Sequence, residues 1–251
     1  MDIKELQVSD DRNHPWEYAR SRVVNSIIKK YLNADTSDKV AVDIGCGDVF
    51  FLSRFYDEFP SYKLIAVDTA FDNEIIAQLS EKYSPYPIHF LKNLEEVDIP
   101  EASVIFLLDV IEHIENDVLF LEELAKKPFV NKKTLFVISV PAFNSLYCEH
   151  DKWLGHYRRY SQKMLTDHVT QAGLRKVEGG YFFSSLLIIR AVQKLFEKLF
   201  GPSKENGIGD WKGGKIVSWL YEKILWLDFK FGRLFKLPGL STYVLAYPKT
   251  N

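Results

Sequence analysis

The sequence holds little cysteine, little histidine and no long apolar run, and each shortage excludes a class of protein. Two cysteines, Cys46 and Cys148, stand in separate segments of a 251-residue chain. Their spacing suits neither a disulfide framework nor a thiolate metal site, so both are expected to stay reduced. No apolar stretch approaches the ~18 residues of a spanning helix, and the opening segment MDIKELQVSDDRN has no apolar centre like that of a secretory signal. A cytoplasmic protein is the expectation, at most one held at the inner face of a membrane. Internal repeats and low-complexity tracts are absent as well, which leaves an ordinary globular chain.

What is present agrees with that. Hydrophobic residues make up 47% and charged residues 26%, enough apolar surface for a single domain spanning residues 1–251. The net charge of −2 conceals an asymmetry: residues 1–180 hold 21 basic and 29 acidic side chains, whereas residues 181–251 hold 11 and 5. The acidic larger part argues against nucleic acid as a partner, because phosphate backbones are met by basic surfaces.

Residues 14–32, HPWEYARSRVVNSIIKKYL, place Val23, Val24, Ile27, Ile28, Tyr31 and Leu32 at helical spacing behind Pro15. Short apolar runs then alternate with helical patterns: KVAVDIG, YKLIAVD, PIHFLKN, SVIFLLDV and TLFVISVPA read as strands, with amphipathic segments between them. RKVEGGYFF and STYVLAYPK complete a set of seven. The pattern predicts a doubly wound, mostly parallel seven-stranded α/β sheet. Residues 184–240, rich in Phe, Leu, Trp and Lys, are far too long for a connection and predict a helical cap inserted before the last strand.

Open α/β sheets bind ligands beyond the carboxyl ends of their strands. The first such end, VAVDIGCGDVF, has Gly45 and Gly47 of a dinucleotide fingerprint but Phe50 where the third glycine would stand. Asp43 and Asp48 flank the turn and would repel a phosphate. Asp68 ends the second strand about twenty residues on, where a carboxylate can accept from both hydroxyls of a ribose. A cationic nucleoside fits these features better than a dinucleotide.

With VAVDIGCGDVF, LIAVDTAF, FLKNLEEVDIP and LLDVIEHIEND in register, the chain resembles the class I S-adenosylmethionine (SAM) dependent methyltransferases. The resemblance implies SAM as cofactor. It puts Asp43, Gly45, Cys46 and Gly47 on the methionine side, Asp68 and Thr69 at the ribose, Asn93 and Leu94 at the adenine, and Asp109 at the edge of the pocket. Val49 departs from it, standing where the family usually has a small residue, often glycine. The turn KKPFVNKK, in place of a glycine-containing one before the fifth strand, is a second departure.

The segment PAFNSLYCEHDKWLGHYRRYS follows the fifth strand and, together with HPWEYAR, resembles a bacterial subgroup with a GHxRRY motif, often linked with surface-polysaccharide and lipid-linked glycan metabolism. This implies methylation of oxygen on a small or lipid-linked, glycan-type acceptor. A hydroxyl must lose its proton as the methyl arrives, and His113, His150 and His156 are the candidates to take it. Asp151, Trp153, Tyr157, Arg158 and Arg159 are candidates to hold the acceptor, the arginines through forked donors suited to phosphate or carboxylate.

Asp109, Glu112, His113 and His150 also resemble the metal sites of small-RNA 3′-terminal and some quinone methyltransferases, but Asp109 is needed by the pocket and no metal is expected. A non-catalytic SAM-binding scaffold is the reading from another class. In the cap, Ile188, Val192, Leu195, Phe196, Leu199 and Phe200 share one face, and Arg190, Lys194 and Lys198 lie elsewhere. Such helices either dock on the domain or lie on a membrane.

Overall fold

The computed structural model describes residues 15–32, 39–200 and 214–249. His14 and residues 201–213 of the cap lie outside that set. Helix α1 (Pro15–Ile28) precedes strand β1 (Lys39–Ile44), helix α2 (Phe50–Glu58), β2 (Tyr62–Val67), α3 (Asn73–Lys82) and β3 (Ile88–Leu91). Then come β4 (Val104–Leu108), α4 (Asp117–Ala125), β5 (Leu135–Pro141), the short α5 (Glu149–Leu154), α6 (Gln162–Gln171) and β6 (Leu174–Phe182). Helices α7 (Ser184–Phe200) and α8 (Lys215–Phe235) form the cap before β7 (Ser241–Pro248).

All seven expected strands form one sheet in the order β3-β2-β1-β4-β5-β7-β6. β7 runs antiparallel to both of its neighbours and the other pairings are parallel. β1 and β4 are buried along their whole length, which is why they read as continuous apolar runs and not as alternating ones. Alternate residues feed two cores. Ala41, Phe106 and Val137 face a cluster with α1, α2, α3 and α8, while Val42, Ile105 and Phe136 face one with α4 and α6. Phe55 and Phe51 meet Phe106 edge-on at 5.2 and 4.8 Å, an aromatic set whose truncation at Phe106 would cost ~3–5 kcal/mol.

The parallel strands bring their carboxyl ends to one edge. The loop after β5 is fastened there as well: Ala142 bridges Tyr160 in parallel register, and the Tyr160 backbone N–H donates to the Pro141 carbonyl at 2.9 Å. In the cap, α8 turns Leu225 and Phe229 into the core beside Phe182 and Phe183, and lies against α1 through Arg22, which meets Glu222 at 3.2 Å. Among the described residues no helix is long and apolar enough to cross a membrane.

Candidate functional site

The turn after β1 is built on left-handed backbone. Gly45 and Gly47 have φ of +67° and +57°, and a side chain at Gly45 would bring its Cβ to 2.7 Å from Val110. Val49 also has a positive φ, +55°, the conformation that suits the glycine usual at this position; its full burial offsets a strain of ~1–2 kcal/mol. Asp68 staples the turn from β2. Its carboxylate accepts the Gly47 N–H at 2.9 Å through one oxygen and the Ala70 N–H at 3.0 Å through the other.

A cavity opens on this turn, lined by Asp43, Gly45, Cys46 and Leu108 and, from α1, by Glu17 and Arg20. Burial pushes the Asp43 carboxyl up to about 8, and the charges of Asp68 and Asp48 add to the rise while Arg20 opposes it. Burial likewise raises the Cys46 thiol, with Asp43 and Asp68 adding to it, so Cys46 stays uncharged. Arg20 lies over the Trp16 ring and pairs with Asp109, whose own φ of +59° marks strained backbone beside the cavity.

Beyond Asp109 the chain makes a 3-10 turn, Ile111–His113, and the loop 143–160 closes over it. Asp151 is its anchor, with 0% exposure. It accepts from the Cys148 backbone N–H at 2.8 Å and from Arg159 Nε at 2.8 Å, and its Oδ1 lies 2.9 Å from His156 Nδ1. Burial would raise its pKa, but the His156 and Arg159 hydrogen bonds prevail and hold it below the usual carboxylate range. The rings of His113 and His156 meet edge-on at 4.5 Å. Glu112 is fully buried beside them, and each of the three offers a ligating atom within 4.8 Å of the others.

The structure therefore brings Asp43, Gly45 and Cys46 to one cavity, ties Gly47 to Asp68 and Asp109 to the cavity's Arg20, and groups His113, His156 and Asp151 in a separate cluster. Thr69 is exposed just past Asp68, and the Asn93 amide donates to Glu96 at 2.8 Å with Leu94 opening the following turn. His150 is not in the histidine cluster: it stacks on Trp153 at 5.7 Å, and desolvation lowers its pKa. Trp153 and Tyr157 expose their rings. The arginine forks are engaged within the protein. Arg158 donates to the carbonyls of Ile114 and Glu115 at 3.2 and 2.6 Å and pairs with Asp117 at 3.3 Å, and Arg159 pairs with Asp151.

Sequence reasoning missed Glu17, Arg20 and Asp117. The signal for the first two was two charged residues in line with Val24 and Ile27 on the apolar face of α1. Asp117 had none, because its partners Arg158, Tyr160 and His168 come from a distant segment.

No protein-family model and no curated protein matches the chain. Solved structures share its fold. A coclaurine N-methyltransferase bound to N-methylheliamine and SAH aligns with a TM-score of 0.55 over 92% of this chain and 70% of its own, at 14% identity. A putative sarcosine dimethylglycine methyltransferase from Galdieria sulphuraria gives 0.56 over 91% and 84%, at 13% identity. The cyclase SpnF gives 0.56 over 96% and 86%, at 11% identity. The chain has the class I methyltransferase fold.

Proposed function

We propose that the protein is a SAM-dependent methyltransferase acting on an oxygen of a small or lipid-linked, glycan-type acceptor. The observation that carries this is Asp68. One of its oxygens accepts the Gly47 N–H of the glycine turn, the other the Ala70 N–H of its own loop, and each keeps a further lone pair, so the carboxylate can also receive both hydroxyls of a ribose. Asp48 beside the turn and Glu17 in the cavity lining disfavour a pyrophosphate, and a bound cation would draw the proton from Asp43 and pair with its carboxylate. This donor set fits SAM. When bound, SAM supplies a methyl group on a positively charged sulfur, ready for a nucleophile.

The chain's own residues do the rest. Asp68 orients the nucleoside, Arg20 through Asp109 holds α1 over the cavity, and the Glu112, His113 and His156 cluster is where an acceptor hydroxyl loses its proton. Oxygen is the assigned atom because a hydroxyl needs such a group, and the glycan assignment follows the resemblance carried by Gly155, His156, Arg158, Arg159 and Tyr160. The exposed rings of Trp153 and Tyr157 offer flat apolar faces at the rim. Arg158 and Arg159 contribute by holding the loop in shape.

The cap supports the lipid-linked part of the reading. Ile188, Val192, Leu195 and Phe196 on α7 are exposed, and so are Ile216, Trp219, Leu220, Leu227, Phe231 and Leu234 on α8. Exposed Lys230, Arg233 and Lys236 stand among them. Apolar side chains interleaved with cations at this density fit the headgroup region of an anionic membrane.

Fold alone does not decide the chemistry, since SpnF, named for cyclisation, has it too. The test is transfer of a labelled methyl from SAM to membrane and glycan extracts, with the product identified by mass spectrometry. SAM binding without transfer to any extract would leave a binding scaffold.

A further inference from the structure

We propose that Glu112, His113 and His156 form a binding site for a divalent transition-metal ion, on the acceptor side of the SAM pocket. The charges around the cluster pair off until one is left. Asp109 has Arg20; Asp151 has Arg159 and His156; Asp117 has Arg158 and His168. Glu112 has no such partner. It is 0% exposed, and among the described residues neither of its carboxylate oxygens meets a donor from elsewhere in the chain. A buried carboxyl left in that state costs several kcal/mol, so a group this placement was selected for is missing from the inventory of side chains.

Two imidazoles supply the complement. The ligating atoms of Glu112, His113 and His156 lie within 4.8 Å of one another. Ligands on a tetrahedral ion at ~2.1 Å stand ~3.4 Å apart, so side-chain rotations of about 1 Å complete the set. The ring of His156 is already oriented as a metal-bound histidine is. Its Nδ1 lies 2.9 Å from the buried Asp151, which holds that nitrogen as the N–H and leaves Nε2 as the donor pair. Arg159 and the Cys148 N–H fix Asp151 in turn.

Two nitrogens and one carboxylate favour Zn²⁺, Co²⁺ or Fe²⁺ over Mg²⁺, and three protein ligands leave a coordination position open. An acceptor hydroxyl there would lose its proton to solvent near neutral pH. That role rests on the methyltransferase reading, whereas the binding of the ion does not.

The experiment is a Co²⁺ titration of untagged, chelator-stripped full-length protein, read by visible absorption and by melting temperature. We expect a d–d band saturating at one equivalent, displaced by Zn²⁺, with a rise in melting temperature. Glu112→Gln keeps the shape of the side chain and should lose at least ~100-fold in Co²⁺ affinity while remaining folded, as should His156→Ala. Asp151→Asn, a positioning change, should lose ~10–100-fold. His150→Ala should keep the band. Absence of a band in the wild type, or unchanged affinity in folded Glu112→Gln, overturns the site. Co²⁺ uptake without methyl transfer removes the methyltransferase reading and leaves the metal site. Methyl transfer in stripped protein that takes up no Co²⁺ does the reverse.

Discussion

At the carboxyl edge of the sheet, Asp151 is fully buried with Arg159 and His156 on its carboxylate, whereas on α8 Ile216 is 81% exposed and Leu234 72% exposed. One region buries charge and the other displays apolar surface, each against the usual preference of its side chains. The edge tolerates this because Asp151 and Asp117 are each paired with an arginine and a histidine, which ties down the loop 143–160. The helix pair tolerates it because α8 has only one face docked, through Leu225 and Phe229. Burial in the first region sets geometry; exposure in the second leaves an apolar face uncovered.

The largest effect that would break this contrast is at Asp151. Asp151→Ala strands a buried arginine and should destabilise the fold by ~3–5 kcal/mol, while Ile216→Ala should change it by less than ~0.5 kcal/mol. Urea denaturation of both variants checks this, and similar losses would mean that α8 is docked on both faces.

Next come the two tryptophans of α8, which the sequence treats alike and the structure separates. Trp226 packs on the core with Arg22 over its ring at 4.4 Å, and Trp219 is 58% exposed. Trp226→Glu should lower the melting temperature by an amount equivalent to ~2–3 kcal/mol. Trp219→Glu should leave it unchanged and weaken co-sedimentation with anionic vesicles, which salt should release, each nearby Lys or Arg being worth ~1 kcal/mol. If neither the wild type nor Trp219→Glu binds such vesicles, the exposed faces serve something other than a membrane.

Asp68→Ala should weaken SAM binding by ~1.5–3 kcal/mol, the scale of charge-assisted hydrogen bonds. It should also lower stability, because the Gly47 and Ala70 N–H groups lose their acceptor. Calorimetry in which NAD binds as tightly as SAM would refute the pocket.

The smallest effect per step is one of pH. The folded-state pKa of Asp43 is raised, to about 8, so the folded state holds a proton that the unfolded chain gives up near pH 4. The stability tied to that proton is complete below pH ~4 and lost as pH rises towards 8, by up to ~1.4 kcal/mol per unit. Asp43→Asn should remove this slope. Denaturation at pH 5, 6.5 and 8 measures it, and identical slopes in both proteins would show Asp43 ionised throughout.

Much of the SAM side was legible because it is local. Each strand follows from its own short run, and the glycine turn and Asp68 from their spacing and the carboxyl-edge rule. Arg20 and Asp109 are 89 residues apart and meet only when α1 crosses the sheet edge, so no spacing announced them. The histidines were legible as a set but not as a choice. Gly155, at φ +84°, reverses the chain after α5 and lets the His156 N–H reach the Asp151 carbonyl at 2.8 Å, turning His156 inward while His150 stays with Trp153.

The sequence by itself determined the sheet, its turn and the place of Asp68 at a strand end, because periodicity and strand ends are properties of short segments. Only the tertiary structure decided which charges are paired, that Glu112 is left over, and which face of α8 remains exposed. Those depend on what each side chain meets across the fold, and a buried charge or a bare apolar face is defined by its surroundings alone.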